Sequence, residues 1–144
     1  MSEDNIAVVR RLFEEVWGNR NLDAMDELMS DDFVDHDPII GEGNRDSAKQ
    51  AAAGYLEAFP DLKLEIVDII ASGDKVAYRW IADGTFENPL MGFEPNHERG
   101  EPIEGIVIDR LEDGQIVESH TQWNTLQFMR NIGAMPAEAG AAAE

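Results

Sequence analysis

At Pro60 the apolar pattern of this chain changes period, and that change constrains the fold more than any other feature. Before it, apolar residues recur at helical spacing. Ile6, Val9, Phe13, Val16 and Trp17 form one stripe, with Arg10, Arg11, Glu14 and Glu15 largely outside it. Ser2 offers an N-cap and Gly18 a stop. The stretch NRNLDAMDELMS predicts a short second helix burying Leu22, Met25, Leu28 and Met29, packed antiparallel on the first. A third helix, capped by Asp46 or Ser47, carries Ala48, Ala51, Ala52, Tyr55 and Phe59 until the proline ends it.

Beyond Pro60 the period becomes two. LKLEIVDIIA and KVAYRWIADGTF read as strands joined through SGD, and IEGIVIDRL and QIVESHTQWNT as strands joined through the EDG hairpin. Between the pairs runs a Pro- and Gly-rich connection, residues 87–101, and TLQFMRNIG predicts a last short helix. Helices first and a four-stranded antiparallel meander second predict an α+β fold. The expected form is a cone-shaped domain, with N-terminal helices packed on a strongly curved, mainly antiparallel sheet that encloses a pocket. One domain is expected over residues 1–133. The remainder, 134–144, has nothing large to bury and is expected to be a disordered tail.

Charge and composition narrow the function. Lys+Arg of 11 against Asp+Glu of 30 gives 11 − 30 = −19, a field that repels nucleic acid and anionic lipid. No apolar run approaches the eighteen or so residues of a membrane span, and the N-terminus lacks a secretory apolar core, so a cytoplasmic protein is expected. Without cysteine there is neither a disulfide nor a thiolate metal site. The three histidines, His36, His97 and His120, lack the near spacing of zinc motifs, and no metal is expected. Phosphate loops, GxSxG elbows and cysteine nucleophiles are missing too.

The candidate chemistry gathers in two places. In FVDHDP, residues 33–38, His36 follows the buried Phe33, and Asp35 or Asp37 could hold one ring nitrogen and make the imidazole a base. The plainer reading is a turn braced by the two aspartates. On the last strand His120 alternates with Glu118, Gln122 and Asn124, opposite Val117, Ser119, Thr121 and Trp123, and sequence leaves open which face looks inward. Asp109 shares a face with Gly105 and Val107, where burial would raise its pKa, but its place near the hairpin argues for the rim. Arg79 and Arg110 read as structural cations, and His97 as solvated. Tyr78 and Trp80 share one strand face and, with Trp17, Tyr55 and Phe59, form the expected apolar lining.

The segments VVRRLFEEVWGNRNLDAMDELMSDDFVDHDP, AFPDLKLEIVDIIASGDKVAYRWIADGTF, LMGFEP and GIVIDRLEDGQIVESHTQWNTLQFMRNIG occur in an order that resembles the nuclear transport factor 2-like superfamily. Within it they are most similar to the SnoaL-like polyketide cyclase branch, also called ester cyclase. The resemblance implies a small cofactor-free enzyme, commonly a homo-oligomer assembled through the outer sheet face, whose namesakes close a polyketide ring by intramolecular aldol condensation. It also implies a carboxylic acid on the last long strand as acid/base. Here a gapless alignment through the EDGQ turn puts Thr121 at that position, and a shift of one puts Gln122 there. A family histidine on the preceding strand falls on Val107.

Two functions therefore stand. The first is a cofactor-independent cyclase, lyase or isomerase acting on a hydrophobic carbonyl compound. His36, Asp35 and His120 would carry protons, Trp17, Tyr55, Phe59, Tyr78, Trp80 and Thr121 would bind substrate, and Gln122 or Asn124 would donate to an enolate oxygen. The second is a module that binds a small apolar ligand without turnover. An epoxide hydrolase would need an Asp–Arg–Asp set, which the strand parity of Arg79 opposes. The apolar outer sheet face, with Ile81, Ile106 and Ile108, predicts a homodimer.

Overall fold

The computed structural model describes residues 2–135, so the expected tail lies outside the described residues from 136 onward. Helix α1 (Ser2–Leu12) runs into a π-helical turn, Phe13–Gly18, which brings Leu12, Phe13, Val16 and Trp17 together on the inner side. A short α2 (Ala24–Leu28) buries Ala24, Met25 and Leu28, and the Arg11–Glu27 ion pair at 2.9 Å ties it to α1. Helix α3 (Arg45–Ala58) begins with a reciprocal capping box. Asn44 is its cap and Ser47 the answering side chain, not Asp46 or Ser47 as cap. The helix ends at Phe59, before Pro60.

The strands are β1 (Met29–Asp37), β2 (Gly41–Gly43), β3 (Lys63–Ser72), β4 (Lys75–Asp83), β5 (Ile103–Glu112) and β6 (Gln115–Trp123). Among the described residues they form one six-stranded open sheet in the order β2-β1-β6-β5-β4-β3, antiparallel except where β1 runs parallel to β6. The α+β cone and the four-strand meander are as the periodicity predicts. The two added strands correct it, because FVDHD is strand and the turn begins only at Pro38, and the following IIGEGNRD contributes β2. Helix α4 (Thr125–Asn131) then starts at Asn124, whose side chain accepts from the Gln127 amide at 3.1 Å.

Two apolar clusters result. One joins α1, α2 and the sheet through residues such as Val9, Val16, Leu28, Phe33, Val76 and Ile116, and the other packs Phe59, Phe86, Phe128 and Ile132. Between them the curved sheet leaves a cavity. The outer sheet face keeps apolar side chains in the open: Ile70 is 68 % exposed, Ile106 55 % and Ile108 45 %. No helix among the described residues is long and apolar enough to cross a membrane.

Candidate functional site

The cavity, about 240 Å³, is lined by both clusters, and the sheet contributes Asp35, Asp37, Ser119 and Thr121 to it. Strand parity places them. Along β1, Phe33, Asp35 and Asp37 share the inner face. Asp35 stands opposite Ser119 of β6, and Ser119 opposite Asp109 of β5, so the three form one row across three strands. The next inner row sets Thr121 opposite Val107 and Val107 opposite Tyr78.

Asp37 is fully engaged. One oxygen accepts from the backbone N–H groups of Ile39 (2.8 Å) and Ile40 (3.0 Å), and the other from the Trp123 indole at 3.1 Å. Asp35 has no such set, and burial followed by repulsion from Asp37 raises its pKa to about 6. Tyr55, on α3, faces the same cavity. Its hydroxyl is buried and has no hydrogen-bond partner among the described residues. Burial first, and then the charges of Asp37 and Asp35, push that hydroxyl well above its ordinary pKa. A donor that keeps its proton thus stands near a carboxylate poised to take one.

Behind this pair lies Asp109, only 1 % exposed and not at the rim. It accepts from Tyr78 Oη at 2.9 Å and from the Ser119 hydroxyl. Burial outweighs those hydrogen bonds and raises it to about 7. Asp109 does not touch the cavity; Ser119, which does, stands between.

Several expected site residues lie elsewhere. His36 does not face the cavity, and neither Asp35 nor Asp37 holds its ring. It points to the outer sheet face, where Glu118 Oε2 meets its Nε2 at 2.8 Å and His120 stacks on it with centroids 4.2 Å apart. Inner and outer residues alternate, so placing Asp35 inside puts His36 outside. For the same reason His120 and Gln122 face out and Thr121 faces in. Asn124 is spent on capping α4. Trp17, Tyr55, Phe59, Tyr78, Trp80 and Thr121 do line the cavity. Arg79 pairs with Glu104 and Arg110 with Glu112, each at 2.7 Å, while the exposed His97 meets Glu87. Sequence reasoning missed Ser119 and Trp123 as lining, and gave Asp37 only the holding of the His36 ring or the bracing of a turn, not a place in the cavity. The signal was available, since Phe33 read as buried and, on a strand, would carry Asp35 and Asp37 with it.

The SnoaL-like polyketide cyclase family model matches residues 7–132. The chain belongs to this family. Among solved structures, a protein assigned as a SnoaL-like polyketide cyclase from Jannaschia sp. CCS1 is 25 % identical, with a TM-score of 0.83 over 94 % of this chain and 95 % of that one. AclR from Streptomyces galilaeus, assigned as a hydroxylase, is 26 % identical with a TM-score of 0.82, covering 94 % of this chain and 100 % of its own. IdmH from Streptomyces antibioticus, assigned as a polyketide cyclase, is 26 % identical with a TM-score of 0.73, covering 91 % and 97 %. No curated protein matches. Val107 and Thr121, which the gapless resemblance sets at the family's histidine and carboxylate, are directly opposed on the inner face.

Trp80 shapes the wall of that cavity. It lies against Gly105, where an added Cβ would meet its ring at 2.3 Å, and its centroid is 6.3 Å from that of Trp123. Because one side of the indole borders open cavity, Trp80→Ala is expected to abolish binding of a hydrophobic fluorescent probe while leaving a cooperative melt. A loss of about 3–5 kcal/mol in a denaturant titration, usual for a fully packed tryptophan, would instead make it plain core.

Proposed function

We propose that this SnoaL-like protein is a cofactor-independent enzyme that moves a proton beside a carbonyl of a hydrophobic, polyketide-like small molecule, as a cyclase or a related lyase or isomerase. The observation carrying this reading is the partnerless, buried Tyr55 hydroxyl facing the same cavity as the raised carboxylate of Asp35. A buried donor left unpaired costs about 1–3 kcal/mol, a cost offset when a substrate oxygen completes it.

In the proposed reaction Asp35 removes a proton from the carbon between or beside carbonyls, and the electron pair moves onto oxygen as an enolate. Tyr55 donates a hydrogen bond to that oxygen without surrendering its proton. For ring closure the enolate carbon attacks a second carbonyl of the same molecule, a carbon–carbon bond forms, and Asp35 returns the proton to the new alkoxide. The apolar walls exclude water and hold the chain folded on itself. Asp109, through Ser119, positions the carboxylate row.

A test needs no native substrate. In deuterated buffer, an aromatic 1,3-diketone should exchange its α-protons faster with protein than without. The accelerated rate should rise with pH through about 6, as Asp35 ionises. Saturable binding with no acceleration would support a second reading, a ligand-binding module, which Thr121 in place of the family carboxylate favours.

A further inference from the structure

The outer sheet face carries a cluster that the cavity chemistry leaves unused. Parallel pairing of β1 with β6 sets His36 directly opposite His120, and Glu118 lies two residues before His120 on the same face. One ligating atom from each of the three lies within 4.8 Å of the other two. We propose that His36, His120 and Glu118 form a binding site for a divalent first-row transition ion, with Zn2+ as the natural probe.

Two imidazole nitrogens and one carboxylate oxygen suit a borderline ion and do not suit Mg2+ or Ca2+, which take all-oxygen sets. Zinc bonds nitrogen and oxygen at about 2.0–2.2 Å, so the three atoms must close by about an ångström. The side chains have the freedom to do so. His120 is exposed and His36 and Glu118 partly so, and the rings need only tilt out of their stack for their lone pairs to converge. Glu118 is already the carboxylate of this group. Its Oε2 meets His36, while Arg110 approaches only Oε1, at 3.5 Å, leaving the ligating oxygen free to turn from His36 to a metal. A net charge of −19 draws cations toward the surface.

The placement has a structural consequence. His36 and His120 are chain neighbours of Asp35 and of Ser119 and Thr121, which face the cavity from the other side of the same two strands. A bound ion would clamp β1 to β6 directly behind the cavity's polar row.

Calorimetric titration of the metal-free full chain with Zn2+, in excess Mg2+ to occupy scattered surface carboxylates, tests this. The expected result is a saturable one-to-one site. His36→Gln, His120→Gln and Glu118→Gln should each weaken it by at least about tenfold. Co2+ in the same site should give ligand-field absorption that Zn2+ bleaches. Since His120 is exposed, His120→Gln retains the fold, which an unchanged melting profile verifies. Zinc binding that Mg2+ removes, or that survives both histidine substitutions, overturns the proposal.

Discussion

Asp35→Asn is expected to slow α-proton exchange in a bound 1,3-diketone by about 10²–10⁴-fold, the range for losing a positioned general base. The amide keeps the shape of the side chain but cannot accept the proton. Ligand affinity, read by fluorescence quenching, should stay within a few-fold. The pH dependence separates base from donor. In the parent the exchange rate rises through about 6, where Asp35 loses its proton; in Asp35→Asn that rise disappears. Tyr55→Phe removes the donor and leaves the base, so the rate should fall by about 10²–10³-fold with the rise near pH 6 retained. Exchange at the parent rate in Asp35→Asn would remove Asp35 from the chemistry. An unaltered rate in Tyr55→Phe would leave its lone hydroxyl as a packing defect.

The second large effect is on stability. Asp109 is raised by burial from 3.8 to about 7, and Asp35 to about 6. A carboxyl group whose folded pKa lies above its unfolded value favours folding when protonated. Its contribution is complete below about pH 4 and is lost as pH rises through the folded values, about 6 and 7. For Asp109, almost wholly buried, a shift of this size corresponds to a few kcal/mol, on the order of 1.4 kcal/mol per unit. Paired surface carboxylates such as Glu118 and Asp61 act in the opposite sense, since their pKa values are lowered. Comparing the parent with Asp109→Asn isolates the buried term. Urea denaturation midpoints of the two should diverge between pH 5 and pH 8, with the variant, which has no charge to bury, gaining relative stability as pH rises. Parallel midpoints over that interval would mean that Asp109 ionises as freely in the fold as out of it.

The base of the first effect, Asp35, stands on a segment that local sequence does not decode. The change of period at Pro60, the stripe from Ile6 to Trp17 and the EDG hairpin determine the order of helices and strands. They do so because helix and antiparallel hairpin contacts are local, so their apolar spacing is written into neighbouring residues. The aromatic lining was legible for the same reason, since Tyr78 and Trp80 alternate with Arg79 and Ile81 on a strand whose period is plain. FVDHDP carries no such mark. Beyond Phe33 its polar residues fall on both faces, and the pairing that makes it a strand is parallel to β6, across a long stretch of chain. Pairing at that distance leaves no periodic trace, and a strand has no fixed inside until its partners give it one. Once β1 lies beside β6, alternation sends Asp35 and Asp37 into the cavity with Ser119 and Thr121, and His36 outward to Glu118, 82 positions away, and to His120. The sequence by itself determined that these ionisable groups exist, and the tertiary structure decided which of them share a dry cavity and which share the surface.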